Sequence, residues 1–252
     1  MDNYLEERGE RLREFFGLAA GVDLLGGEGK EPEILPHEAE HLKRFNLEWH
    51  IIPSAEAVPF DEAYARRLYP MCSRDFASPK HHSASCHKAL VAGHSRHQGR
   101  VLAIETTRKP RYLPGNRQFY GTSYGFDQTA DPFAQYLGLA RFATPTRFGH
   151  DYVSLREFLD VVNRDWRSRN AMPRGYRLTI CPPAVLNLVG TLFHTEWSQT
   201  EALELGFYRD DHGNAKCYAV GSNGPGDFSY IHEIETNSDW TLLGFRLALV
   251  PE

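Results

Sequence analysis

Ser154-Leu-Arg-Glu-Phe-Leu-Asp-Val-Val-Asn-Arg-Asp-Trp-Arg-Ser-Arg169 is the best-specified element of the chain. Phe158, Val161, Val162 and Trp166 recur at helical spacing with charges between them, and Ser154-x-x-Glu157 has the form of a capping box. Together they predict a helix from Ser154 to about Arg169. The residues that follow decide the class. Tyr176–Ile180 reads as a strand, and Pro182-Pro183 opens a second helix, Ala184–Phe193, because proline suits a first helical turn. Beyond it, Leu203–Arg209, Lys216–Gly221, Tyr230–Glu235 and Leu242–Val250 are strand-like runs, with the turn Asp211-His-Gly-Asn214 between the first two. This order predicts an α+β fold: a single domain over residues 1–252 with N-terminal and central helices and a C-terminal antiparallel β-meander. Any seam between two units falls near residues 127–150.

Upstream, residues 3–17 read as a helix with Leu5, Leu12, Phe15 and Phe16 apolar. Gly26-Gly27 and the Pro32–Pro36 run make a loop. Leu47-Glu-Trp-His-Ile-Ile52 alternates weakly and ends at Pro53, which suits a first strand; Asp61–Leu68 suits a short helix stopping before Pro70. Residues 71–100 have little apolar periodicity and read as loop, with one short helix at 86–92. Val101–Thr107 is a strand, and Gln118–Phe126 is aromatic and turn-rich.

Apolar residues at 41%, charged residues at 24% and aromatic residues at 12% of 252 are globular values and argue against disorder. No window approaches the roughly eighteen uninterrupted apolar residues of a membrane span. The N-terminus lacks the basic and apolar regions of a secretory signal. Four scattered cysteines form no C-x-x-C, so reduced thiols and a cytoplasmic setting are expected, with Cys181 and Cys217 packed inside. Net charge is −5, unevenly spread. Residues 1–50 carry six Lys/Arg against twelve Asp/Glu, residues 74–117 nine against two, and residues 176–252 four against ten. The central basic stretch predicts one electropositive face, unless it docks on the acidic ends of the same chain.

That stretch holds five of the twelve histidines, between His81 and His97, together with Cys86. His94-x-x-His97 places two imidazoles one helical turn apart, and His82, His87, His94 and His97 are the candidate ligands of a zinc ion, although their spacing matches no zinc-finger pattern. His37-x-x-x-His41 is a further i, i+4 pair. His194-Thr-Glu196 has the H-x-E form of zinc deaminases and of 2-His-1-carboxylate iron sites. The deaminase reading fails for want of P-C-x-x-C. The iron reading would need His232 and Arg246, with too few strands between for its usual barrel.

His232-Glu-Ile-Glu235 puts Glu233 and Glu235 on one side of a strand, where like charges call for a cationic partner or a task. His232, Glu233 and Glu235 are the candidate catalytic residues, acting as general acid and base. The order of Arg100, Gly121-Thr122-Ser123 and Glu233-x-Glu235 resembles that of parts in ADP-ribosyltransferases. The resemblance implies a nicotinamide dinucleotide held by the Arg and Ser/Thr residues, with E-x-E orienting the ribose. It spans scattered tripeptides only, too little to assign the family. Gly221-Ser-Asn-Gly-Pro-Gly226 reads as a long β-turn. Finally, Arg108, Arg111 and Arg117 alternate with Tyr112, Tyr120 and Tyr124, a mixture suited to phosphates and stacked bases.

The leading functional expectation is therefore binding of an anionic ligand (a nucleotide, a nucleic acid or a phosphorylated metabolite). Its contacts would be Arg100, Arg108, Arg111, Arg117, Tyr120, Ser123 and Tyr124. A non-catalytic module docking an acidic partner is the second expectation, and a metal site in the His81–His97 cluster the third. Substrate and oligomeric state are not set by the sequence.

Overall fold

The computed structural model describes residues 2–27, 32–59, 67–68, 97–107, 111–113, 117–119, 131–139, 147–199, 203–209, 215–221, 230–234 and 243–252. The chain opens with α1 (Asp2–Phe16) and α2 (Pro36–Arg44), followed by strands β1 (Leu47–Ile52) and β2 (Arg100–Glu105). A short hairpin of β3 (Arg111–Leu113) and β4 (Arg117–Phe119) precedes α3 (Ala134–Leu137) and α4 (Tyr152–Ser168). Then come β5 (Tyr176–Ile180), α5 (Pro183–Leu192), a 3₁₀ turn at Thr195–Gln199, and strands β6 (Leu203–Arg209), β7 (Ala215–Gly221), β8 (Tyr230–Ile234), β9 (Gly244–Phe245) and β10 (Leu247–Pro251). This is the α+β architecture expected, and none of the described helices is long and apolar enough to cross a membrane.

Among the described residues, two four-stranded sheets carry the fold, in the orders β1-β2-β10-β5 and β8-β7-β6-β9. The first is antiparallel throughout. In the second, β6, β7 and β8 form the expected meander, and the Arg209↔Ala215 pairing brackets the predicted turn. The last run departs from expectation. It pairs as two pieces: β9 runs parallel to β6, whereas β10 crosses into the first sheet between β2 and β5. The reason lies at the junction. Arg246, between the two pieces, is fully buried, and its guanidinium bonds both sheets: Glu204 of β6 at 2.9 and 3.0 Å, and the carbonyls of Glu105 and Thr107 at the end of β2 at 2.8 and 2.6 Å. An apolar run that changes sheets cannot be told from one that extends a meander by its periodicity.

Arg147 completes this seam. It forks onto Glu105 with two 2.7 Å bonds and onto Asp131 at 2.5 and 2.6 Å, and donates to the Phe245 carbonyl at 3.3 Å. Burial alone would lower the Arg147 pKa, but the Asp131 and Glu105 charges outweigh it and hold the guanidinium firmly protonated.

Helix α4 buries Leu155, Phe158, Val162 and Trp166 at the expected helical spacing. Its N-cap is Asp151, not Ser154: the Asp151 carboxylate accepts the Ser154 N–H at 2.8 Å, adding a turn to the expected start. A carboxylate at the N-cap satisfies an orphan donor, as a serine there would, and its charge also complements the helix dipole. Asn163 then staples α4 to the edge strand β5, accepting the Leu178 N–H at 2.7 Å and donating to the Leu178 carbonyl at 2.9 Å. Those backbone groups face away from the sheet, so the side chain closes an edge that would otherwise invite pairing. Helix α5 is buried from Pro183 to Gly190 and sits against α1, β6 and β7. Gly206 of β6 lets it do so, since a Cβ there would lie 2.7 Å from the Pro183 Cγ. Cys181 and Cys217 are buried, and burial pushes the Cys217 thiol up to about 12.

Candidate metal centre

Three elements converge at the outer edge of the first sheet. On β1, Glu48 and His50 are two residues apart and so share one side of the strand. On α1, Tyr4 and Arg8 are one turn apart and share one stripe. At the end of α5 the chain turns: the Phe193 and His194 N–H groups both reach the Val189 carbonyl, and the Trp197 N–H closes on the His194 carbonyl at 2.9 Å. This turn presents His194 beside the strand, stacked on Trp197 with ring centroids 4.6 Å apart and 11° between planes. Arg246 covers Trp197 at 4.0 Å, so the sheet-switching seam buttresses the histidine.

Glu48, His50 and His194 each offer a ligand atom, and these atoms lie within 4.8 Å of one another. Arg8 bridges two of them, donating to Glu48 Oε2 at 2.6 Å and to His50 Nδ1 at 3.1 Å. The Tyr4 hydroxyl donates to Glu48 Oε2 at 2.8 Å and accepts a short bond from Arg8. Thr106 donates to Glu48 Oε1 at 3.0 Å. His194 has Glu196 at 3.0 Å from Nδ1 and Glu48 at 3.4 Å from Nε2.

The protonation states follow from these contacts. Burial would raise the Glu48 carboxyl, but its interactions with His194, Tyr4 and Arg8 prevail and hold it at about 2. Glu48 is therefore ionised throughout the physiological range. His50 is fully buried, and burial first, then the Arg8 and His194 charges, lower its pKa well below the usual value, so the ring is neutral. Arginine only donates, so His50 Nδ1 accepts and the ring proton resides on Nε2. That nitrogen is buried and finds no hydrogen-bond partner among the described residues; His194 Nε2 likewise completes no hydrogen bond among them. A buried polar atom without a partner is costly in a folded protein and calls for an explanation.

The residues singled out from sequence as site residues that have described positions lie on other elements. Arg100 opens β2 and is exposed; His232 and Glu233 lie on β8 of the other sheet, opposite Ala219 and Tyr218 in register. Arg111 and Arg117 lie on the β3–β4 hairpin, and His97 is half-buried in the turn before β2. Arg108, Tyr120, Ser123, Tyr124, Glu235, His82, His87 and His94 lie outside the described residues, as do residues 211–214 and 222–226. The His37/His41 pair divides: His37 Nε2 meets the Asn170 carbonyl at 2.9 Å, whereas His41 packs between Phe45 and Trp166. Arg246, considered for an oxo-acid, is spent on the seam. Sequence reasoning noted the His194-x-Glu196 pair but set it aside, and missed Glu48, His50, Tyr4 and Arg8. The available signal was the polar half of the β1 alternation, Glu48 and His50, with an aromatic and a cation four apart on α1.

Neither the protein-family models, the curated proteins nor the solved structures contain a match to this chain.

Proposed function

We propose that this protein binds one divalent first-row transition-metal ion, with Glu48, His50 and His194 as its ligands. The observation that carries the reading is the approach of three ligand atoms, from Glu48, His50 and His194, to within 4.8 Å of one another, where His194 Nε2 completes no hydrogen bond among the described residues. Two imidazoles and one carboxylate suit zinc or ferrous iron, whereas magnesium and calcium favour oxygen ligands alone. Two further features support it. Glu48 is held ionised and His50 neutral, which are the ligating forms. Glu196 meets Nδ1 of His194 and so frees Nε2, the carboxylate–histidine arrangement that orients metal ligands. Arg8 occupies the cationic role between Glu48 and His50 in the structure described, so a metal replaces one cation with another.

The test is titration of the metal-stripped protein with Zn²⁺ by calorimetry and with Co²⁺ by visible absorption. One equivalent is expected to bind, unaffected by Mg²⁺. His50→Ala and His194→Ala should abolish that equivalent, and Glu196→Gln should weaken it by about 10- to 100-fold. Binding that survives His50→Ala but disappears when His82, His87, His94 and His97 are replaced together would move the metal to the histidine-rich segment and overturn the assignment. Glu233, on β8 of the other sheet, takes no part in this site, so Glu233→Gln should leave Zn²⁺ affinity unchanged.

A further inference from the structure

Arg8 is an unusual neighbour for a metal site. One of its Nη atoms donates to Glu48 and the other to His50, and both acceptors are ligands in the metal assignment. Its Nε is buried and has no partner among the described residues. Two rings hold the guanidinium in place independently of those acceptors: it lies over Tyr4 at 4.3 Å and over Phe193 at 4.7 Å. Arg11, one turn further along α1 and exposed, lies over the same Phe193 ring at 5.6 Å. Two guanidinium groups thus share one aromatic platform at the mouth of the cluster, in an N-terminal region that is otherwise acidic.

A divalent ion that takes Glu48 and His50 removes two of the three acceptors of Arg8, sparing the Tyr4 hydroxyl, while leaving its charge, since arginine is not deprotonated in proteins. A permanent cation next to a metal is repelled unless an anion lies between them. The guanidinium fork matches the paired oxygens of carboxylates and phosphates.

We propose that Arg8 and Arg11 form the receiving end of an oxyanion site, in which a phosphate or carboxylate group bridges the metal and the Arg8 guanidinium. The inference rests on the metal reading and names the ligand class that goes with it. It reaches the anionic class expected from sequence, but through residues of α1 and not through the basic stretch at 74–117.

The experiment uses the full chain loaded with one equivalent of Co²⁺ and titrated in parallel with inorganic phosphate and with acetate, read by visible absorption and calorimetry. A saturable change in the cobalt spectrum is expected in at least one arm, and the tighter arm identifies the oxyanion. Arg8→Gln should bind Co²⁺ at least as tightly as the natural chain, because a competing cation is gone, yet bind the anion about ten-fold or more weakly. Arg11→Gln, at an exposed position that does not threaten folding, should weaken the anion several-fold and leave Co²⁺ affinity unchanged. An unchanged spectrum in both arms, or anion affinity that both variants retain in full, overturns the oxyanion site and leaves the metal reading standing. Failure of Co²⁺ to bind overturns both.

Discussion

Two clusters of charged side chains both touch Trp197, and they are built on different terms. At the seam between the sheets, Arg147 and Arg246 meet Glu105, Asp131 and Glu204 with side chains at most 6% exposed. Each guanidinium is forked onto carboxylates and turns further donors to backbone carbonyls. At the edge of the first sheet, Glu48 is about a third exposed at 35%, His50 is wholly buried, and a nitrogen on each of His50 and His194 has no hydrogen-bond partner among the described residues. A saturated network fixes a fold; an unsaturated one at the surface retains bonding capacity for something else. The difference between the two lies in hydrogen-bond completion, not in charge, and this is the ground for assigning structure to one and function to the other.

The contrast breaks most visibly under mutation of the seam. Arg246→Met takes the guanidinium away from the buried Glu204 carboxylate, and should cost about 3–5 kcal/mol in urea unfolding of the metal-free protein. A cost below about 1 kcal/mol, the range of an exposed ion pair, would mean the seam is dispensable. Gly206→Ala separates packing from charge. Its Cβ would press on Pro183 at the start of α5, the helix whose far end leads into the His194 turn, and overpacking should cost about 1–3 kcal/mol. Zn²⁺ stoichiometry should stay at one.

His50→Leu is the sharpest test of the second cluster. It removes a buried ring with an unused nitrogen but also the Nδ1 acceptor of Arg8, so metal-free stability should fall by about 1–3 kcal/mol while Zn²⁺ binding is lost. A loss as large as that of Arg246→Met would make this cluster structural as well.

The smallest effect concerns His41. Burial first, then the Arg44 and Arg169 charges, depress its pKa, and Asp165 opposes them. It packs against Phe45 and Trp166. The unfolded chain therefore takes up the proton first on acidification. Stability is complete above the ordinary histidine pKa of about 6.5 and falls as pH drops below it. His41→Phe should flatten this part of the pH dependence of the unfolding temperature, measured from about one pH unit above that value to about one below.

Much of the fold was legible because it rests on local pattern. The α4 stripe, the Pro182-Pro183 start of α5 and the β6–β7 pairing each follow from residue spacing and turn chemistry within short stretches of chain. The expected α4 cap fell a turn late because Asp151, three residues earlier, caps the Ser154 N–H and turns Ser154 into a residue of the first helical turn. The last strand reads as one more meander strand because its true partner is chosen by Arg246, whose acceptors on β6 and β2 lie 42 and 141 residues away in sequence. Of the candidate site, only the His194-x-Glu196 pair stood out in sequence, and it was set aside. His194 and Glu196 are local to each other, whereas Glu48 and His50 gain meaning only when α1 and the end of α5 are brought against β1.

By itself, then, the sequence determined the α+β class, the α4 stripe, the β6–β7–β8 part of the meander and the burial of Cys181 and Cys217, since periodicity and turn residues act over short distances. Tertiary structure alone decided which polar residues meet. Hydrogen-bond saturation is a property of side chains from distant segments, and whether an arginine or a histidine is spent or spare depends on partners that no local pattern names.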